Sequence, residues 1–157
     1  MESLFTFLKM PLAWVMPFLS PVLKALPGSE YFFEGIGNHY AKFDGRARRS
    51  EFWYFVLGSL VYYLIGWVAI TIVVSVLSAI KLGALASLIG GILYLLLYLP
   101  LLVPSIAVAI RRLQDTGKSG WLILLSLIPF GGIVLLIFYV QDSTPGSNQY
   151  GPNPKGL

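Results

Sequence analysis

Two short segments hold most of the side chains able to do chemistry. In "KFDGRARRSEFWYF" (Lys42–Phe55), the carboxylates Asp44 and Glu51 alternate with Arg46, Arg48 and Arg49. In "RRLQDTGKSGW" (Arg111–Trp121), Arg111 and Arg112 precede Asp115 and Lys118. Guanidinium groups beside carboxylates support three kinds of chemistry. They pair, and so clasp two segments together. Left unpaired, their forked donors grip phosphate on a lipid headgroup or a partner. Or a carboxylate among them (Asp44, Glu51 or Asp115) acts as an acid or base on a headgroup substrate. Two carboxylates near arginines are more often paired than poised, so the clasp ranks first, the anion site second and catalysis last. No catalytic, cofactor-binding or metal-binding residue is assigned, and no cofactor is expected. The chain has no cysteine and a single histidine, His39, and it carries no phosphate-binding loop, nucleophile elbow, paired-histidine motif or dinucleotide fingerprint.

The elements that must position these residues belong to a membrane. Of 157 residues, 57% are hydrophobic and 11% charged, against about 45–50% and 25% in soluble domains. Too few polar side chains remain to cover a soluble surface. Phe52–Ile80 and Leu82–Ile110 are each uncharged over 29 residues, beyond the roughly 20 a helix needs to cross about 30 Å of hydrocarbon. The bilayer-embedded parts are expected near Val56–Val76 and Leu85–Ile106. Only a short connection at Lys81 separates the two runs, which predicts an antiparallel hairpin. A third run, Trp121–Val140, has 20 residues with Pro129-Phe130-Gly131-Gly132 at its middle. A single kinked spanning helix is the favoured reading there, with neighbouring helices satisfying the freed carbonyls. A re-entrant hairpin is the alternative. The expected fold is therefore an all-α membrane protein with a bundle of three main transmembrane helices, at about 52–80, 82–110 and 121–140. Residues 1–40 read as a proline-interrupted interfacial extension, 41–140 as the transmembrane domain, and 141–157 as a flexible polar tail rich in Gly, Pro, Ser and Asn. Within Leu4–Leu26, Pro11, Pro17, Pro21 and Pro27 nearby argue against a deep spanning helix. Trp14 and Phe18 are expected in the headgroup zone, a fourth span being the minority reading.

Charge orients this bundle. Seven of the 11 basic residues fall in the two windows: Lys42, Arg46, Arg48 and Arg49, then Arg111, Arg112 and Lys118. Two crossings separate the windows, so both share a face, and the positive-inside rule makes that face cytoplasmic, with the N-terminus. The side of the tail stays open, since a third crossing and a re-entrant hairpin send it opposite ways. Ser50, or Asp44 with Gly45, is a candidate cap for the first helix. Carboxylates suit the start of that helix and arginines the end of the second. An antiparallel hairpin sets the two termini side by side, predicting contacts within about 4 Å between Asp44 or Glu51 and Arg111 or Arg112, or between Asp115 and Arg46, Arg48 or Arg49. At a water-exposed interface each pair would contribute roughly 0–1 kcal/mol.

Inside the membrane, Ala79, Gly83, Ser87 and Gly91 recur every four residues, and Gly58 and Gly66 flank Tyr62 at the same interval on the first helix. Small residues so spaced let helices approach closely. Packing within the bundle is the first expectation and a dimer interface the second. No charged residue lies within a span, which weakens a proton or ion pathway; the spans offer only hydroxyls such as Tyr62, Tyr63, Thr71, Ser75 and Tyr94. The basic clusters have a sufficient topological explanation, so nucleic acid is not an expected partner. Expected partners are anionic lipid headgroups and a second copy or another membrane protein. Three functional classes follow: a structural or accessory membrane protein first, a small-solute transporter or channel subunit second, and a headgroup-acting enzyme last.

"FDGRARRSEFWYF" (Phe43–Phe55), "PSIAVAIRRLQDTGKSGW" (Pro104–Trp121) and "GSNQYGPNP" (Gly146–Pro154) together resemble the domain of unknown function 805 family of small bacterial inner-membrane proteins. The resemblance covers about residues 40–154 and leaves the first forty outside it. Where that family usually carries histidine, this chain has Gln114, which removes a titratable group from the second motif. The resemblance implies a bacterial plasma-membrane location and the fold, and supplies no mechanism.

Overall fold

The computed structural model describes residues 16–17 and 19–156. Among them the regular elements are helical: α1 (Ser29–Ile36), α2 (Arg49–Ala79), α3 (Gly83–Asp115), a 3₁₀ helix (Gly120–Leu127) and α4 (Gly131–Val140). Residues 19–24 are also helical, with Leu19 and Leu23 buried. Trp14 and Phe18, expected at the headgroups, lie outside the described residues.

Helices α2 and α3 are long and apolar enough to cross a membrane, and only 11% of the most apolar window of α2 is buried. A soluble core helix would hide that surface. Here Leu60, Leu64, Ile72, Val76, Leu88 and Leu95 face outward, where lipid solvates them. The chain is an all-α membrane protein. Both helices outrun the uncharged segments expected from sequence, by taking Arg49–Glu51 at one end and Arg111–Asp115 at the other. Pro100 and Pro104 are buried within α3 without ending it. Ser50 sits inside the first turn of α2 and Asp44 five residues before Arg49. Neither occupies the capping position expected of them.

Internal contacts divide the described residues into two units: Leu57–Leu102 with the described residues up to Leu26, and Pro27–Val56 with the described residues from Val103 onward. In the first, α2 turns into α3 through Lys81, whose φ is 65°, with Leu82 donating its N–H to the Leu77 carbonyl at 3.1 Å. The helices run antiparallel, so Gly66 meets Leu97, Val74 meets Gly90 and Tyr63 stacks on Tyr98 at 4.9 Å. A Cβ on Gly66 would stand 2.3 Å from Leu97 Cδ1. The small-residue expectation divides here. Gly66 packs and Gly58 is buried, but Ala79, Gly83, Ser87 and Gly91 are exposed, with nothing among the described residues within 4 Å of a Cβ on Gly83 or Gly91. Ala86 and Gly90, also four apart, form the inward face.

In the second unit, α1 lays Phe32 against Phe55 at 5.7 Å and Tyr31 against Tyr54 at 5.9 Å. The segment after α3 corrects the favoured reading of Trp121–Val140 as one kinked helix. A 3₁₀ helix ends at Leu127, the chain reverses through Ile128–Phe130, and α4 runs back against it. Pro129 has no N–H to extend the first arm. Phe130 is left-handed at φ 64°, and Gly131 packs so closely that a Cβ would lie 1.8 Å from the Leu125 carbonyl oxygen. The run is thus two short helices packed as a hairpin, not one kinked helix.

Candidate functional site: a buried arginine and carboxylate cluster

The site grows from the ends of α2 and α3. The residue before α2's approach, Ala47, donates its N–H to the Arg111 carbonyl at 3.1 Å, which fixes the loop carrying Arg46 beside the last turn of α3. Arg46 Nε donates to Asp115 Oδ1 at 2.9 Å. One turn back on α3, Arg112 Nη1 donates to Asp115 Oδ2 at 2.5 Å, and Ser143 Oγ donates to the same oxygen at 2.6 Å. Arg111 Nη1 donates to Glu51 Oε1 at 2.5 Å.

The cluster is buried. Relative side-chain exposure is 2% for Arg46 and 0% for both Arg112 and Asp115. The expectation of water-exposed pairs is corrected by this, and the reason is the tail. Arg46 Nη1 donates to the carbonyl of Gly146 at 2.7 Å and Nη2 to that of Thr144 at 2.7 Å. Arg112 donates to the carbonyls of Tyr139, at 3.1 Å, and Gln141. The Thr144 N–H donates to the Asp115 carbonyl at 3.0 Å. Asn148 Nδ2 reaches the Gln114 carbonyl at 2.9 Å, and Asn153 Nδ2 the Thr144 carbonyl at 3.2 Å. Asn148 and Gly151 exchange backbone bonds at 3.0 Å. The segment expected as a flexible polar tail is thus folded over the cluster as a cap. Its Gly, Asn and Pro residues make the tight turns that aim successive carbonyls at Arg46.

Charge explains why carbonyls are recruited. Among the described residues two guanidinium groups share one carboxylate, so one positive charge is in excess in a buried site, where an unsatisfied charge is costly. Backbone carbonyl dipoles from three parts of the tail complete the donors' needs.

The other expected site residues fall outside this core. Arg48 donates to the Tyr31 hydroxyl and lies 5.2 Å over its ring. Lys118 Nζ donates to Gln141 Oε1 at 2.6 Å and faces the Phe138 ring at 4.7 Å. Lys42, Asp44 and Arg49 are exposed. Ser143, Thr144, Asn148 and Asn153 were not among the sequence candidates; their clustering within the third motif, "GSNQYGPNP", and just before it was the available signal. Both Asp115 oxygens accept from donors, and Glu51 accepts from Arg111 through Oε1.

The chain is 39% identical over 125 residues to inner membrane protein YhaH of Escherichia coli strain K12, covering 74% of this chain and 90% of that protein. It is 42% identical over 118 residues to inner membrane protein YhaI of the same strain, covering 74% and 89%. No solved structure matches it. The family described as protein of unknown function, DUF805, matches residues 40–152, a stretch that holds α2, α3, the hairpin and nearly all of the tail's contacts with the cluster, and the chain belongs to that family.

Proposed function

We propose that the chain is a multi-pass structural or accessory protein of the bacterial inner membrane, with both basic windows in the cytoplasm. The buried cluster holds the helix ends, the hairpin and the tail in one register. The exposed cations Lys42 and Arg49 contact anionic lipid headgroups or an acidic partner. One observation carries the reading: Arg46 and Arg112 have their donors turned inward onto Asp115 and tail carbonyls, while Lys42 and Arg49 face out. This divides the basic residues into a structural set and an available set, where sequence alone grouped them all as clasp or anion site.

The division is testable. Each cation near an anionic surface contributes on the order of 1 kcal/mol. Lys42→Gln with Arg49→Gln is expected to keep cellular abundance while lowering enrichment of anionic over zwitterionic lipid around the protein in nanodiscs. Arg46→Gln or Arg112→Gln is expected to lower abundance. Unchanged lipid enrichment and unchanged partner recovery in the first variant would refute the contact role. Unchanged abundance in the second would refute the structural one.

A further inference from the structure

We propose that residues 120–140 form a wedge that enters one leaflet of the bilayer from the face bearing the basic windows and returns to that face, so that its partner is the acyl-chain layer of a single leaflet. This rests on the reading of α2 and α3 as membrane-spanning, and not on which face is cytoplasmic.

Both ends of the segment are tied to one place. Lys118, just before it, donates to the side chain of Gln141, just after it. Arg112 holds the carbonyls of Tyr139 and Gln141 beside the end of α3. The hairpin therefore leaves the cluster and comes back to it. Its reach fits half a membrane. The eight residues of the 3₁₀ arm rise about 16 Å at roughly 2.0 Å each. The ten residues of α4 rise about 15 Å at 1.5 Å each. The hydrocarbon core is about 30 Å thick. Neither arm crosses it, and the two arms match.

The surface suits hydrocarbon. Trp121–Val140 has no charged residue. At the far end Leu127 is 79% and Phe130 82% exposed, and at the near end Trp121 is 79% exposed, where its indole ring suits the headgroup level. Large apolar side chains at a water-facing tip would be costly, and a leaflet removes that cost. A turn in lipid must also satisfy its own backbone. Pro129 has no N–H. Ile128 donates to the Leu125 carbonyl at 3.2 Å, and Gly131 to the Ile128 carbonyl at 3.1 Å. The tip thus reverses with its donors largely turned inward. Phe130 takes a left-handed conformation that glycine adopts more easily; here that conformation carries an exposed aromatic ring at the deepest point.

The absence of native cysteine gives a clean background for the test. Single cysteines at Lys42, Leu82, Leu127, Phe130 and Ser147 in the full chain, in sealed vesicles, are exposed to a membrane-impermeant maleimide before and after detergent. The wedge expects Lys42→Cys and Ser147→Cys to label from one side and Leu82→Cys from the other. Leu127→Cys and Phe130→Cys should lose labelling from both sides and regain it in detergent. Nitroxide labels at these two positions should report accessibility to oxygen over a polar relaxer, which reads depth independently. Ser147→Cys labelling together with Leu82→Cys would overturn the wedge in favour of a full crossing. Phe130→Cys labelling as readily as Lys42→Cys would overturn it in favour of a hairpin lying in water. Lys42→Cys and Leu82→Cys labelling from one side would sink the spanning reading of α2 and α3 beneath it, a failure distinct from either.

Discussion

Asp115→Asn is the sharpest perturbation of the cluster. The substitution keeps the side chain's size and the backbone carbonyl that receives Thr144, but it removes the carboxylate shared by Arg46 and Arg112. Two buried cations then face each other across a neutral amide, one of whose atoms is a donor pointed at donors. Removing one member of a buried ion pair costs about 3–5 kcal/mol. Counting instead the two charge-assisted bonds lost, at about 1.5–3 kcal/mol each, gives about 3–6 kcal/mol, which overlaps that range. Release of the tail would let water reach the arginines, so the loss should appear first as tail opening. The assay is hydrogen exchange at the Thr144 amide in nanodiscs. At about 1.4 kcal/mol per tenfold, exchange should quicken roughly 100-fold or more, while amides in the middle of α3 keep their protection. Arg46→Gln should open the tail too, since four of its five bonds reach the tail and Asp115's carbonyl. The double variant should cost less than the sum of the singles by about 0.5–3 kcal/mol. Tail exchange within about twofold of wild type, or strict additivity, would refute the account of a shared buried charge.

Gly131→Ala places a Cβ 1.8 Å from the Leu125 carbonyl oxygen and should destabilise the hairpin by about 1–3 kcal/mol or more, read as faster exchange across residues 120–140. Gly132→Ala, with open space around it, is the neutral control. Gly66→Ala must displace Leu97 and should lower thermal stability in detergent, whereas Gly91→Ala meets nothing within 4 Å and should raise helix stability by up to about 1 kcal/mol; a cost at Gly91 seen only in the membrane would instead reveal a partner on that face. The Asp142 carboxyl is held below its usual range first by the hydrogen bond from Lys155 and then by the Ser143 N–H. Its depressed value means that this contribution is present at neutral pH and is lost as pH falls through the folded value. Lys155→Gln should therefore raise the Asp142 pKa toward the ordinary carboxylate range in an NMR titration, and an unmoved titration would show the contact to be absent in solution.

What sequence made legible follows from which constraints are local. Apolar length is local, so α2 and α3 could be read from the two uncharged runs, short only at the ends where Arg49–Glu51 and Arg111–Asp115 continue the helices because partners wait for them. The pairing of Arg46 with Asp115 and of Arg111 with Glu51 followed from antiparallel geometry. The pair Arg112–Asp115, three residues apart on one helix, follows from helical spacing rather than from the hairpin. The burial of these pairs was not legible, because it depends on carbonyls contributed 98 to 105 residues from Arg46. A four-residue spacing fits the exposed series Gly83, Ser87, Gly91 and the inward pair Ala86 and Gly90 equally well; only the partner helix chooses. Pro129 in the third apolar run marked a break, yet a kink and a reversal share that signal, and the reversal follows from Phe130 turning left-handed before a glycine that must lack a side chain.

The excess of one guanidinium over carboxylates in the cluster gives the tail its role. If Arg46 were absent, Arg112 and Asp115 would be a balanced pair on one helix, and the tail would keep its bonds to Arg112, Gln114 and Asp115. If a second carboxylate balanced Arg46, the turns would have fewer donors to receive them. With the imbalance, Thr144, Gly146 and Gly151 become the groups that satisfy Arg46, and Tyr139 and Gln141 do the same for Arg112. The loop before α2, the end of α3, the end of the hairpin and the tail are therefore held by the same two side chains. A segment pinned at both ends this way cannot cross to the far side of a membrane without breaking the cluster. The chemistry of Arg46 and Arg112 thus bears on topology as much as on stability, and the proposed wedge rests on that link.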